Sequence, residues 1–237
     1  KKEFEKSSSS IEILIVDDNS KENIQDVIQE LDYIQNEKFS ITYILRTDKN
    51  SLPISIFEGI EKSRYKNVAW MDADGSMPPR TLFQISEIYF SKNIDAVIGS
   101  RYVNGGGYKG IKTVGKTSLI EAIKNVRSSN DTVSGMLLSL MLNKFLVFLT
   151  KSEVKDITSG FLITDKINLS KEEFYGFDYG EYFIKIIHSF KNSKLNIFEH
   201  GYLCEMRMYG ESKTGKNLFR LILRGLNYIK VAVKYRK

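Results

Sequence analysis

Apolar residues in this chain fall into short continuous runs separated by longer stretches of mixed pattern. Ile11 to Val16, Phe39 to Leu45, Val68 to Met71 and Asp95 to Ile98 read as strands, because each short run is bounded by turn-forming residues. Between them, about Lys21 to Leu31, Ser51 to Ser63 and Arg80 to Phe90 carry helical spacing, with Pro53 and Pro79 suited to first turns. Asn19 or Ser20 is placed to cap the first of these helices. This alternation predicts an α/β fold with a mostly parallel, doubly wound sheet in a single domain.

After Tyr108 the rhythm changes. Residues 109 to 135 are polar and basic and carry no strand signal. They lead into an apolar helix from Met136 to Leu149, interrupted by Ser139, Asn143 and Lys144. That stretch is too short to span a bilayer and reads as a core or interfacial helix. Asp156 to Thr164 restarts the α/β pattern, Tyr179 to Phe190 is helical, and Leu195 to Phe198 and Tyr202 to Met208 read as a late strand pair. Asn217 to Tyr235 closes the chain as a C-terminal amphipathic helix. Leu218, Ile222, Leu226, Ile229 and Val233 line one face, with Lys216, Arg220, Lys230 and Lys234 roughly opposite. The expected division is 1–215 for the main domain and 216–237 for the basic helix.

Composition narrows the picture. With 237 residues and 42% apolar content, the chain can bury a full core. The lone Cys204 excludes an internal disulfide framework and fits a reducing compartment. No signal peptide is visible, although the chain does not begin with Met. The net charge of +6 is concentrated at the end, since Lys213 to Lys237 contains no Asp or Glu. Such a tail suits an anionic partner: membrane lipid, nucleic acid or a phosphate-bearing substrate. Nucleic acid is disfavoured, because no aromatic-basic interleaving or reader motif accompanies the charge. His188 and His200 belong to no ligand spacing and read as structural.

The candidate chemistry sits at the end of the third strand, where Met71 is followed by Asp72-Ala73-Asp74 and then a glycine, a serine and two prolines further on. In extended chain, residues i and i+2 point to one side, and open α/β sheets bind ligands at the carboxyl ends of strands. Two hard oxygen ligands there suit Mg²⁺ or Mn²⁺ shared with a substrate's phosphates.

Five separated stretches complete a pattern: VDDNS at 16–20, MDADGSMPP at 71–79, GSRYVNGGG at 99–107, DITSGF at 156–161 and RMYGESK at 207–213. In this order they resemble the dolichol-phosphate mannose synthase group of the family 2 inverting glycosyltransferases, over roughly residues 11 to 215. The resemblance implies a GT-A (nucleotide-diphospho-sugar transferase, Rossmann-like) fold. It also implies transfer of a sugar, typically mannose from GDP-mannose, to a polyprenyl or dolichyl phosphate. By the same resemblance, Asp17, Asp18 and Arg46 belong to nucleotide binding, and Asp72 and Asp74 hold the divalent metal. Arg101 lies near the reacting phosphates. Arg207, Ser212 and Lys213 close over the donor diphosphate or acceptor phosphate, and Asp156, Ser159 and Gly160 sit under the sugar or acceptor head group. The implied setting is the cytosolic face of a membrane, held peripherally through the C-terminal helix.

The chain departs from that group in several places. The family's opening strand with its Pro-x-(Tyr/Phe)-Asn-Glu loop is absent before Ile11. Val133-Ser134-Gly135 lacks a family arginine, leaving Lys116, Lys124 and Arg127 nearby. The nucleophile sets the mechanistic fork. A phosphate monoester, mostly dianionic at neutral pH with a second pKa of about 6, attacks without losing a proton and asks for cations such as Arg101, Lys116 or Arg127. A glycan hydroxyl needs a general base, for which Asp156 is the natural candidate. A third possibility is a catalytically incomplete phosphate- or lipid-binding relative.

Overall fold

The computed structural model describes residues 10–21, 24–31, 35–129, 132–206 and 218–236, with side chains from Ile222 onward in the last segment. The chain forms two compact units: the part up to Val68 with Asp165–Tyr182, and Ala69–Thr164 with Phe183 onward.

In the first unit, β1 (Ile11–Asp17) and β2 (Phe39–Leu45) pair in parallel, from Ile11 beside Phe39 to Asp17 beside Leu45. The short helix α1 (Ile24–Gln29) lies in the connection between them. Helix α2 (Leu52–Lys62) starts where the sequence places it. The Ser51 hydroxyl accepts the Ile54 N–H, and Pro53 fills a first-turn position whose N–H needs no partner. Phe57 of α2 packs on Phe174, with ring centres 5.2 Å apart, and Phe174 stacks on Tyr182. Parallel strands are normally buried on both faces. In β1, however, only Asp17 is fully buried and Ile13 is 40% exposed.

The second unit holds a four-stranded sheet in the order β3-β5-β4-β6, with β3 Asn67–Trp70, β4 Ala96–Ser100, β5 Leu162–Asp165 and β6 Ile197–Gly201. Strand β4 is buried along its whole length. It runs parallel to β6 and antiparallel to β5. The described strands therefore form two sheets, one of them mixed, rather than one mostly parallel doubly wound sheet. Helix α3 (Pro79–Ser91) covers β4 through Ile85, in a core with Met77, Val97, Phe161, Ile163, Tyr202 and Cys204. Each such fully buried side chain contributes about 2 kcal/mol.

Helix α4 (Leu119–Arg127) stands in the stretch that had no assigned element. A capping box starts it: the Ser118 hydroxyl accepts the Glu121 N–H while the Glu121 carboxylate accepts the Ser118 N–H. Helix α5 (Val133–Thr150) extends the apolar segment at both ends, and α6 (Tyr182–Asn192) and α7 (Leu218–Lys234) follow. The expected strand from Tyr202 to Met208 is, in its described part, an irregular segment with a single bridge from Leu203 to Gly107.

That segment braces the loop after β4. The Gly107 N–H donates to the Tyr202 carbonyl and the Cys204 N–H to the Gly107 carbonyl. Gly201 has to be glycine, since a Cβ there would lie 2.2 Å from the Asn104 carbonyl oxygen.

Candidate active site

At the tip of β1, Asp17 and Asp18 have separate tasks. Asp17 is buried; its carboxylate accepts the Ser20 N–H at 2.9 Å and the Tyr43 hydroxyl at 2.7 Å. Burial pushes its pKa up, but these hydrogen bonds outweigh burial and hold it below the usual value. Ser20 is thus engaged by Asp17, and residues 22 and 23, before α1, lie outside the described residues.

Asp18 accepts from the Arg46 guanidinium and, at 2.7 Å, from the Ser51 N–H. Arg46 also donates to Glu58 at 3.0 Å and to the Ser55 hydroxyl at 3.1 Å. Arg46 is 4% exposed, whereas the Asp18 side chain keeps 27% of its surface in solvent. The arginine orients the carboxylate, and the carboxylate is the group with an open edge for a ligand's donors.

In the second unit, Asp72 and Asp74 follow β3. The Asp74 carboxylate accepts the Ser76 N–H at 2.9 Å, and Gly75 takes the left-handed conformation (φ 80°) that turns the chain there. The Asp72 N–H points at the Met77 sulfur, and the Ser76 carbonyl accepts the Glu205 N–H at 3.0 Å. Asp72 is exposed and Asp74 half-buried. Among the described residues no group of three or more His, Cys, Asp or Glu is arranged to hold a metal. Two hard oxygen donors on a turn fixed by its own backbone fit a cation that takes its other ligands from substrate and water.

Arg101 follows the tip of β4 and closes on Asp156. Its Nε and Nη2 donate to the two carboxylate oxygens at 2.8 and 2.7 Å, and its own backbone N–H adds a third bond at 2.9 Å. Nη2 also reaches the Thr158 hydroxyl at 2.9 Å. Burial alone would lower the Arg101 pKa, but Asp156 overrides it and holds the guanidinium protonated. Asp156 has no exposed surface, and both its N–H and that of Lys155 are capped by Glu199. Three donors of Arg101 occupy a carboxylate that has no exposed surface, so the geometry does not present Asp156 to an acceptor as a base. Arg101 likewise spends its fork on a protein carboxylate rather than offering it to phosphate.

Tyr202 and Cys204 lie among these groups. Burial raises both, the Cys204 thiol to about 11. One short segment ties both places together: its Tyr202 N–H donates to the Ser100 carbonyl beside Arg101, and its Glu205 N–H donates to the Ser76 carbonyl of the carboxylate turn. Ser159 donates to the Gly99 carbonyl and is buried. Lys116 and Arg127 are exposed, and Arg207, Ser212 and Lys213 lie outside the described residues.

Several participants went unforeseen. Glu199 braces Asp156 from a strand with no motif of its own, and Thr158, inside the 156–161 motif but given no role there, braces Arg101. Asn143 had a signal, as a lone amide within an apolar helix. It is 2% exposed, donates to the Lys155 carbonyl at 2.7 Å and accepts the Thr158 hydroxyl at 3.2 Å.

The description Glycosyl transferase family 2 matches residues 3–160, which include both aspartate-bearing tips, Arg101 and Asp156. The chain belongs to glycosyltransferase family 2. A dolichol-phosphate mannosyltransferase from Mycosarcoma maydis is 30% identical to this family member over 94 residues, 40% of this chain and 31% of the relative. The chain thus matches about a third of the length of that curated relative. Among solved structures, glucosyl-3-phosphoglycerate synthase from Mycobacterium tuberculosis, in complex with Mn²⁺, UDP-glucose and phosphoglyceric acid, superposes with a TM-score of 0.56. The match covers 97% of this chain and 80% of that one at 10% identity. The same enzyme with Mg²⁺ and UDP gives 0.55 over 98% and 80%, again at 10% identity. At that identity the likeness is one of fold, and the fold is the GT-A type of glycosyltransferases.

Proposed function

We propose that this chain is the catalytic part of a metal-dependent inverting glycosyltransferase. In this reading it moves a sugar, mannose from GDP-mannose in first place, to a polyprenyl phosphate at the cytosolic face of a membrane. The dolichol-phosphate mannosyltransferase relative supports the donor and acceptor classes. The carboxylate pair supports a divalent cation, as do the Mn²⁺ and Mg²⁺ bound in the neighbouring enzyme's complexes. The buried Cys204 thiol fits a reducing compartment. The basic helix α7 and the exposed apolar residues near it support a membrane surface.

One observation favours a phosphate acceptor over a hydroxyl. The carboxylate expected as a base, Asp156, is buried and held by three donors of Arg101. An acceptor that is already anionic needs no base. The bound cation would neutralise the departing nucleotide diphosphate. Asp72 and Asp74 would hold it; in the first unit, Asp18, steadied by Arg46, presents an acceptor of the kind a nucleoside's donors take. Arg101 and Asp156 act as positioning residues that hold the end of β4 and the 156–161 segment together. Arg207, Ser212 and Lys213 supply cations and donors to the phosphates.

The test is a transfer assay with GDP-mannose and UDP-glucose against a short prenyl phosphate and against hydroxyl acceptors, with and without Mn²⁺. Product is expected on the prenyl phosphate and only with metal. Asp72→Asn with Asp74→Asn should lower turnover by at least about a hundredfold without moving Tm. Transfer to a hydroxyl acceptor alone would overturn the acceptor reading, and no transfer from any nucleotide sugar would overturn the activity.

A further inference from the structure

Helix α5 has two faces that meet different surroundings. Its inward face carries Met136, Asn143, Leu146 and Thr150, all buried. Its outward face carries Met141, Phe145 and Phe148, at 68%, 47% and 80% exposure. These follow one another at intervals of four and three residues, which aligns them on one stripe. A core helix buries its largest apolar groups, yet only 22% of this 18-residue stretch, of mean hydropathy 1.7, is buried. At about 1.5 Å per residue it is long enough to cross a bilayer. The hydrogen bonds of Asn143 to Lys155 and Thr158, however, hold one side against protein. One face is left for another phase.

The helices packed on α5 add further exposed apolar groups and a sign of charge. Helix α7 packs against α5 and exposes Ile222, Leu223, Leu226 and Val233, and α4, also in contact, exposes Leu119 and Ile120. The charged side chains described on the three helices are Lys124, Arg127, Lys144, Arg224, Lys230 and Lys234, against Glu121 alone. Exposed apolar side chains on helices whose described charges are all but one positive match a bilayer that offers acyl chains and anionic head groups. A second copy of the same surface would bring cation against cation.

We infer that the Met141–Phe145–Phe148 stripe of α5 inserts into the surface of an anionic lipid bilayer, with the cations of α7 and α4 on the head groups. This rests on the membrane reading above but moves the deepest contact from α7 to α5. It also places the membrane on the back of the helix whose Asn143 braces the Arg101–Asp156 pair.

The test is flotation of the full chain with phosphatidylcholine vesicles with and without phosphatidylglycerol, with no sugar substrate present. Its outcome is therefore independent of whether the proposed reaction occurs. The chain is expected to float with the anionic vesicles. The triple change Met141→Ser, Phe145→Ser, Phe148→Ser should weaken partition by about tenfold or more at unchanged helix content and Tm. A second variant, Phe148→Trp, should show a blue-shifted emission on anionic vesicles and quenching by brominated lipid chains. Undiminished flotation of the triple variant, an unquenched Trp, or no flotation of the parent chain would each overturn the proposal. So would a dimer of the parent chain that the triple change dissolves while flotation is missing, since that would assign the stripe to a second copy.

Discussion

Arg46 in the first unit and Arg101 in the second both follow the end of a strand, and both close on an aspartate from another segment. Arg46 divides its fork among Asp18, Glu58 and Ser55, and its two acids stay about a quarter exposed. Arg101 gives a bidentate grip to one aspartate with no exposed surface, backed by Thr158 and Glu199. The settings differ in the same direction, since β1 is half-exposed along most of its length while β4 is wholly buried. An acid that keeps a quarter of its surface in water has an edge left to serve a ligand. An acid with none, gripped by an arginine, costs too much to open and becomes part of the frame.

The contrast is broken most directly by neutralising one acid in each unit. Asp156→Asn leaves Arg101 without its counter-charge and is expected to cost about 3–5 kcal/mol of stability in urea unfolding. Asp18→Asn should cost only about 1 kcal/mol, because water replaces part of what is lost. Equal costs would mean that the two arginines are used alike.

A smaller effect sharpens the account of the first unit. The Asp17 pKa lies below its ordinary 3.8, so its contribution is complete above that value and is lost as pH falls through the folded one. Tyr43→Phe removes one of the bonds responsible, so the acid-unfolding midpoint followed by circular dichroism should move to higher pH.

The smallest effect belongs to the second unit. Burial holds His200 below its ordinary 6.5, so the neutral ring is the form that fits. Stability is then full above that pH and declines as pH falls toward the folded value. His200→Gln should flatten this slope in thermal melts between neutral and mildly acidic pH.

What could be read in the sequence was mostly local. The strands β1 to β4, the Pro53 and Pro79 helix starts and the two-aspartate turn follow from short-range pattern and turn chemistry. Helix α4 was also legible in principle, since Ser118 and Glu121 spell a capping box, but the polar character of 109–135 masked it. Strand direction was not legible, because β5 returns after a long helical excursion and no residue in Leu162–Asp165 records which way it runs. Nor was the Arg101–Asp156 pair, whose members stand 55 positions apart. The motifs brought both to the site, but only packing shows that they satisfy each other.

The close approach of Gly201 to the main chain at Asn104 has a consequence for how the family can vary. The carboxylate turn hangs from Glu205, four residues beyond that contact, through a bond between two peptide groups. Its location is thus inherited from main-chain carpentry, and substitutions across the surrounding surface can reshape acceptor choice while the two acids stay where they are.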